Sequence, residues 1–352
     1  MPPAFDDAIA YAQAHETPWP RDPHAAPGPG QQPFGVHHDD PPPWNRLFGP
    51  LHERGGPAGV VWVGGREVAA WGDPERADLT FSVAKTYLAL LAGVAVQRGL
   101  IADLHAPVGQ QVPGIGFGGA HNDAVTWHQL LQQTSEWEGS CVGLPDQVDR
   151  YRKVSADPRP AAGRKGDARP LQAPGTYWEY NDVRINQLSL ALLHVFGQPL
   201  PEVFAETFLA PLGATSAYAW RPYDDGWVQI GGRRMPTVPG GTHWGGGISI
   251  GARDQARIGQ LLLDGGGPAL PADWVQLMRT PCDVAPFYGY LVWLNPARRV
   301  FPSASADAWC MLGAGGHLVW IEPAADAVVV SRWLEPAHTD AFMGRVRQAL
   351  SA

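Results

Sequence analysis

Lysine is nearly missing from this chain. Three residues, Lys85, Lys153 and Lys165, stand against 23 arginines in 352 positions. Arginine therefore serves the ordinary surface needs, and each lysine asks for a reason. Cysteine is equally scarce. Cys141, Cys282 and Cys310 are odd in number and widely spaced, which fits neither a disulfide framework nor a zinc site and implies free thiols in a reducing compartment. No long apolar run is present. The longest, Tyr87–Val96, is too short to cross a bilayer. A basic stripe is also missing. The net charge is −8, and no aromatic-plus-basic motif appears, which argues against nucleic acid and anionic membrane as partners. The opening "MPPAFDDAIAYAQAH" lacks a basic segment followed by an apolar one, so the expectation is a soluble, cytoplasmic protein.

What is present points to a packed protein. Hydrophobic residues make up 45% of the chain, with 15 tryptophans. That suffices for one large domain or two lobes. Residues 5–15 read as a short helix. The Pro-rich stretch that follows, to about residue 44, reads as an extended arm over the surface. It contains His37-His38-Asp39-Asp40, which has metal-ligand residue types but in such a segment reads as a solvated cluster; no metal is expected. "GVVWVGGREVAAWGD" is two β-rich runs around Gly64-Gly65, a hairpin signal. Helices are expected after Ser82, ending near Arg98-Gly99, and after Thr126 as N-cap. Further helices are expected over "NDVRINQLSLALLHVFG", "ARDQARIGQLLLDGG" and the C-terminal "TDAFMGRVRQALSA". "HLVWIEPAADAVVVSRW" reads as a second hairpin. Residues 146–175 form a long Pro/Arg-rich stretch, expected to be a mobile lid. The reading is an α/β (α+β) chain. Residues 1–44 carry the helix and arm. A single catalytic domain, 45–352, has an antiparallel sheet lobe from about 45–100 and 245–352, with an inserted, mainly helical lobe at about 101–244.

The lysine at 85 lies in the most apolar helix of the chain, "TFSVAKTYLAL". A cation near a helix N-terminus opposes the macrodipole, so a snorkelling surface lysine is an awkward reading. Ser82 precedes it by three. Positions i and i+3 share a helix face, with Cβ atoms ~5–6 Å apart. A serine in the first turn also sits where backbone N–H groups are free. A half-buried amine beside a hydroxyl can accept or relay its proton. Ser82 and Lys85 are thus a candidate nucleophile and base. Tyr180, Asn181 and Asp182, just ahead of a helix, offer a further proton-transfer group. "MLGAGGHLVW" offers a Gly-rich approach to a strand where backbone N–H groups come close to a ligand.

The order Ser82-Val-Ala-Lys85, then Tyr180-Asn181-Asp182, then Gly313-Ala-Gly-Gly316 resembles the serine β-lactamase / penicillin-recognising superfamily. The closest resemblance is to its class C-like branch of esterases, DD-peptidases and 6-aminohexanoate-dimer hydrolases. It covers about residues 45–335. "VTWHQLLQQTSEWEG" and "GGTHWGGGISIGARDQARIGQLLLDGG" support it. The resemblance implies a β-lactamase-like fold and an acyl-enzyme on Ser82, with Lys85 and Tyr180 handling protons. It also implies an oxyanion hole from the N–H groups of Ser82 and Ala314, beside Gly313. No metal or organic cofactor is implied.

Three positions depart from the family pattern. Tyr-x-Asn reads Tyr180-Asn181-Asp182, so Asp182 either pairs with Lys85 or caps the helix. The cationic Lys/His-Thr-Gly strand motif reads Met311-Leu312-Gly313, which argues against an efficient β-lactamase and for esters or small uncharged amides. His-Thr-Ser-Gly is replaced by Gln133-Thr134-Ser135-Glu136. Trp137, Glu138, His243 and Trp244 are candidate pocket residues. Gly247-Ile-Ser249-Ile-Gly251 also matches the G-x-S-x-G elbow, with His317 or His338 and Asp264 or Asp326 as partners, but the preceding "GGTHWGGG" reads as loop. A non-catalytic ligand-binding protein on the same fold is the other alternative. The expected partner is a small-molecule ester or amide. The oligomeric state is left open.

Overall fold

A computed structural model describes residues 5–351. Its centre is a six-stranded antiparallel sheet. In spatial order the strands are Trp293–Leu294, Trp309–Gly313, His317–Glu322, Ala327–Arg332, Ala58–Val63 and Arg66–Trp71. The two hairpins expected from sequence are both there. Gly64 and Gly65 turn the first with φ of +56° and +71°, the left-handed conformation that a tight hairpin turn demands. The strand pair Ala58–Val63 and Ala327–Arg332 joins the two ends of the chain, with Val60 opposite Val330. Every residue of His317–Glu322 and Ala327–Arg332 is buried, and helix Ala252–Leu263 packs on both strands.

The helix expected after Ser82 runs Val83–Gln97. It is buried almost all round, and Gly99 follows its end with φ +68°, a left-handed stop. It packs between helix Asp182–Phe196 and the strands Trp309–Gly313 and His317–Glu322. The helix after Thr126 is short, Trp127–Gln132. Thr126 and Gln129 form a reciprocal capping box, and Gln133 ends the helix at φ +58°. The helices Ala252–Leu263 and Thr339–Leu350 also lie where expected. The N-terminal helix is Asp6–Ala14 and packs on Thr339–Leu350. The three thiols are free and buried. Among the described residues no single helix is long and apolar enough to cross a membrane.

Two expectations fail. Residues 146–175 are not a loose lid but are pinned by charge. Arg150 binds Asp146 at 3.0 Å, and Arg169 binds Glu136 at 2.5 Å and Glu179 at 2.8 Å. Arg152 binds Asp149 at 3.1 Å. The His37–Asp40 cluster is not solvated throughout either. Asp40 is buried, and Lys165 pairs with it. A polar, Pro-rich composition suggested surface exposure, but composition is blind to partners that lie a hundred residues away.

Candidate active site

The turn that precedes Ser82 is strained. Phe81 has φ +52°, a conformation that costs a non-glycine residue about 1–3 kcal/mol. The ring is locked among Trp19, Phe34, His317 and Trp333, which holds the backbone in place. The turn delivers Ser82 to the first turn of helix Val83–Gln97. The Ser82 hydroxyl makes no capping bond. Instead the Lys85 ammonium donates to Ser82 Oγ at 2.8 Å. Lys85 itself is buried.

The turn between strands Trp309–Gly313 and His317–Glu322 carries Ala314. Gly313 is required there, since a Cβ on it would lie 2.2 Å from the Thr80 carbonyl oxygen. That close approach sets the turn beside the Ser82 backbone. A Cβ on Gly316 would likewise meet the Leu334 carbonyl at 1.4 Å. Ser82, Tyr180, Gly313 and Ala314 all line one cavity of about 430 Å³, together with apolar groups such as Trp293, Phe301 and Leu312. A smaller cavity of about 320 Å³ elsewhere includes Ser249 and none of these four.

Tyr180 sits between cations and an indole. Its ring stacks on Trp293, 5.6 Å between centroids. Lys85 Nζ lies 4.7 Å and the Arg152 guanidinium carbon 5.4 Å from the ring centroid. Gln133 fixes the backbone on this stretch. Its Oε1 accepts from Asn181 N at 2.8 Å and its Nε2 donates to the Tyr288 hydroxyl at 3.0 Å. Asn181 is the N-cap of helix Asp182–Phe196, accepting from Arg184 N.

That assignment frees Asp182 and decides between its two expected roles. It is not the cap. Asp182 Oδ1 pairs with Lys85 Nζ at 2.5 Å. Its Oδ2 takes Arg152 at 2.8 Å and the His243 Nδ1–H at 2.7 Å. Burial alone raises a carboxyl pKa. Here Arg152, Lys85 and His243 outweigh burial and hold Asp182 well below the usual carboxylate range. Asp149 receives the Asp182 backbone N–H at 2.8 Å, and it too is held low against its burial by Arg152, His243 and Lys165.

The four residues expected to line the pocket do not. Trp137 is buried, and its Nε1–H donates to Gly116 O. Glu138 has 60% side-chain exposure and faces Arg150. Trp244 is buried and donates to Trp44 O. His243 lies beneath the site, on Asp182. Trp137, Glu138 and Trp244 point into packing or solvent, which the motif spacing did not reveal. The replaced Gln133–Glu136 stretch now has a reason. Glu136 is in the left-handed region at φ +47° and is the buried acceptor for Arg169, Arg184 and the Gln172 N–H. Among the described residues no histidine or carboxylate hydrogen-bonds to Ser249, and His338 is engaged by the Tyr11 hydroxyl at 2.6 Å. The elbow reading therefore lacks its partners.

Sequence reasoning missed Asp40, Asp149, Arg152, Lys153 and Lys165. One signal was available, since the other two lysines both lie in the 146–175 stretch and both line the cavity. A donor set for a cation also exists. Asp40, Asp149 and His243 offer atoms within 4.8 Å of one another. The Lys165 ammonium already serves the two carboxylates there. Those contacts already occupy the carboxylates, so the residues do not call for a metal.

The Beta-lactamase family profile matches residues 44–336. The 6-aminohexanoate-dimer hydrolase of Paenarthrobacter ureafaciens is 26% identical over 295 residues, covering 75% of this chain and 68% of that protein. A D-stereospecific amidohydrolase from Streptomyces sp. superposes with a TM-score of 0.56 at 18% identity, over 84% of this chain and 92% of the other. EstCE1, a hydrolase with promiscuous acyltransferase activity, gives 0.59 at 17%, over 84% and 93%. The likeness of these two structures shows the fold alone. The profile, spanning most of the chain and with it Ser82, Lys85, Tyr180 and Asp182, places the protein in the beta-lactamase family.

Proposed function

We propose that the protein is a serine hydrolase that cleaves an ester or amide bond of a small molecule through a covalent acyl-enzyme. The observation that carries this is the 2.8 Å contact between Ser82 Oγ and Lys85 Nζ, opening on a cavity shared with Tyr180 and Ala314. Ser82 Oγ attacks the carbonyl carbon. Its proton passes to Tyr180 acting as the phenolate, because Lys85 is engaged as a cation by Asp182. The ammonium steadies the developing charge on Oγ. The N–H groups of Ser82 and Ala314 receive the oxyanion, and one such donor contributes about 3–4 kcal/mol to the transition state. Tyr180 then protonates the leaving alcohol or amine, and water releases the acyl group by the reverse proton path.

The relatives' names include amide hydrolases, and the cavity wall is largely apolar, which supports small esters and amides with aliphatic or aromatic acyl groups. Met311 stands where a strand cation is usual in this fold, so efficient β-lactam turnover is not expected. The test is peptide mass spectrometry after treatment with a fluorophosphonate. An adduct on Ser82 that disappears in Ser82→Ala, with turnover of short acyl esters lost by at least about 10³-fold, supports the reading. Ser82→Ala at wild-type rates sinks it. No adduct on any serine, with the cavity open to a soaked ester, leaves a ligand-binding protein.

A further inference from the structure

The catalytic ion pair is held from behind by groups that lie outside the Ser-x-x-Lys/Tyr arrangement. Asp182 has two oxygens and three cationic or N–H partners. Oδ1 serves Lys85, and Oδ2 is shared by Arg152 and His243. A carboxylate turns about its last torsion over broad, roughly two-fold wells. If Oδ2 loses a partner, Oδ1 leaves Lys85 and the ammonium loses its direction toward Ser82. The far side of His243 faces the N-terminal arm. His243 Nε2 lies 3.2 Å from Asp40 Oδ2. Both atoms are buried, and neither has another hydrogen-bond partner among the described residues. Two such atoms that close repel each other unless a proton lies between them. A proton on Nε2 makes the ring an imidazolium joining two carboxylates, and it satisfies both atoms at once.

Resting on Ser82 and Lys85 as nucleophile and partner, we propose that Asp40 and His243 are positioning residues for the catalytic ion pair. Asp40 accepts from His243 Nε2–H, and His243 Nδ1–H fixes the Asp182 carboxylate that receives Lys85. The N-terminal arm is then part of the active site rather than a strap around it. It also explains why Lys165, from the 146–175 segment, pairs with Asp40. That contact takes up Oδ1 and leaves Oδ2 toward the ring. The charged and titratable groups around His243 are Asp40 and His37 from the arm, Asp182 from helix Asp182–Phe196, and Asp149, Arg152 and Lys165 from the 146–175 segment. Burial, helped by His38 and His243, keeps the His37 pKa below the ordinary histidine range. That disfavours a second proton nearby.

The test uses Asp40→Asn, His243→Gln and His243→Asn in the full chain, with two readouts. One is the pH profile of kcat and KM on a short acyl ester. The other is the second-order rate of fluorophosphonate labelling at Ser82. Asp40→Asn keeps the shape of the residue, and the unfolding midpoint of each variant is read beside its activity. Loss of the carboxylate takes away the acceptor of His243 Nε2–H, so the pH profile of kcat departs from that of wild type and the labelling rate falls. His243→Gln removes the donor toward Asp182. It lowers both kcat and the labelling rate by about 10–100-fold, as removal of orienting groups behind a reactive centre does, with KM little changed. His243→Asn, which can present an N–H in place of Nδ1–H, recovers labelling by tenfold or more over His243→Gln. If Asp40→Asn gives the wild-type pH profile and labelling rate, the proposal is overturned. It is overturned equally if both His243 variants lose activity alike in step with lost stability. Failure of wild type to label at Ser82 instead overturns the functional reading beneath it.

Discussion

The central sheet and the region 133–184 are held together by opposite means. In the sheet, strands His317–Glu322 and Ala327–Arg332 bring Val319, Trp320, Ile321, Val328, Val329 and Val330 into a dry interior. Non-directional burial stabilises them, and period-2 sequence patterns announce them. In the 133–184 region, Arg150, Arg169 and Arg184 are buried against Asp146, Glu136 and Glu179. Those charges attract strongly only because they have left water, and leaving water is costly. The apolar half tolerates imperfect partners. The ionic half needs every partner in place, and it is the half that carries Tyr180 and Asp182.

The contrast is sharpest where one partner is removed. Arg184→Met leaves Glu136, Glu179 and Asp146 short of a cation. It should cost about 3–5 kcal/mol, read as a drop in the midpoint of denaturant unfolding. Acid should separate the two regions next. In Glu136, burial is outweighed by Arg169 and Arg184, so its carboxyl is held low, as are Asp149 and Asp182. The folded form therefore binds fewer protons than the unfolded one at these sites. The stability they contribute is complete above the ordinary carboxylate range of about 4 and is lost as pH falls through and below it. Hydrogen exchange near pH 3 should open the amides of 133–184 before those of the sheet; sheet amides opening first would contradict the comparison. Ile321→Val, a single methylene in the dry interior, should cost only about 0.5–1.5 kcal/mol. Arg253→Ala, which breaks partly exposed pairs to Glu67 and Glu75, should cost less than about 1 kcal/mol. Thermal midpoints of the two variants check both figures.

The same division explains what the sequence disclosed. Hairpins and helices were legible because apolar residues recur at fixed periods, and Lys85 stood out because lysine is rare. The Ser82–Lys85 pair needed only three residues of chain, and the structure closes it at hydrogen-bond distance. Asp182 was half legible. Its pairing with Lys85 was one of two expected roles, and Asn181 took the other. The partnership of Asp40 and His243 was hidden for a physical reason. Each lies in a stretch rich in Pro or Gly that reads as loop. Their partnership spans about two hundred residues of chain, with no periodicity to report it. The same holds for Glu136, whose role depends on Arg169 and Arg184 rather than on its neighbours.

The cluster around Asp182 draws on the arm, the catalytic helix, the 146–175 segment, the His243 turn and the helix Asp182–Phe196. Its balance constrains how a lineage can change. Replacing one member strands a buried charge, so a walk through single substitutions meets a barrier at nearly every step. Paired replacements that remove an acid and its cation together avoid it. Asp40→Asn with Lys165→Met should therefore be milder than the sum of the two single changes in a double-mutant cycle. Descendants that keep the site would inherit these residues as a block, whereas those that lose it would lose several at once.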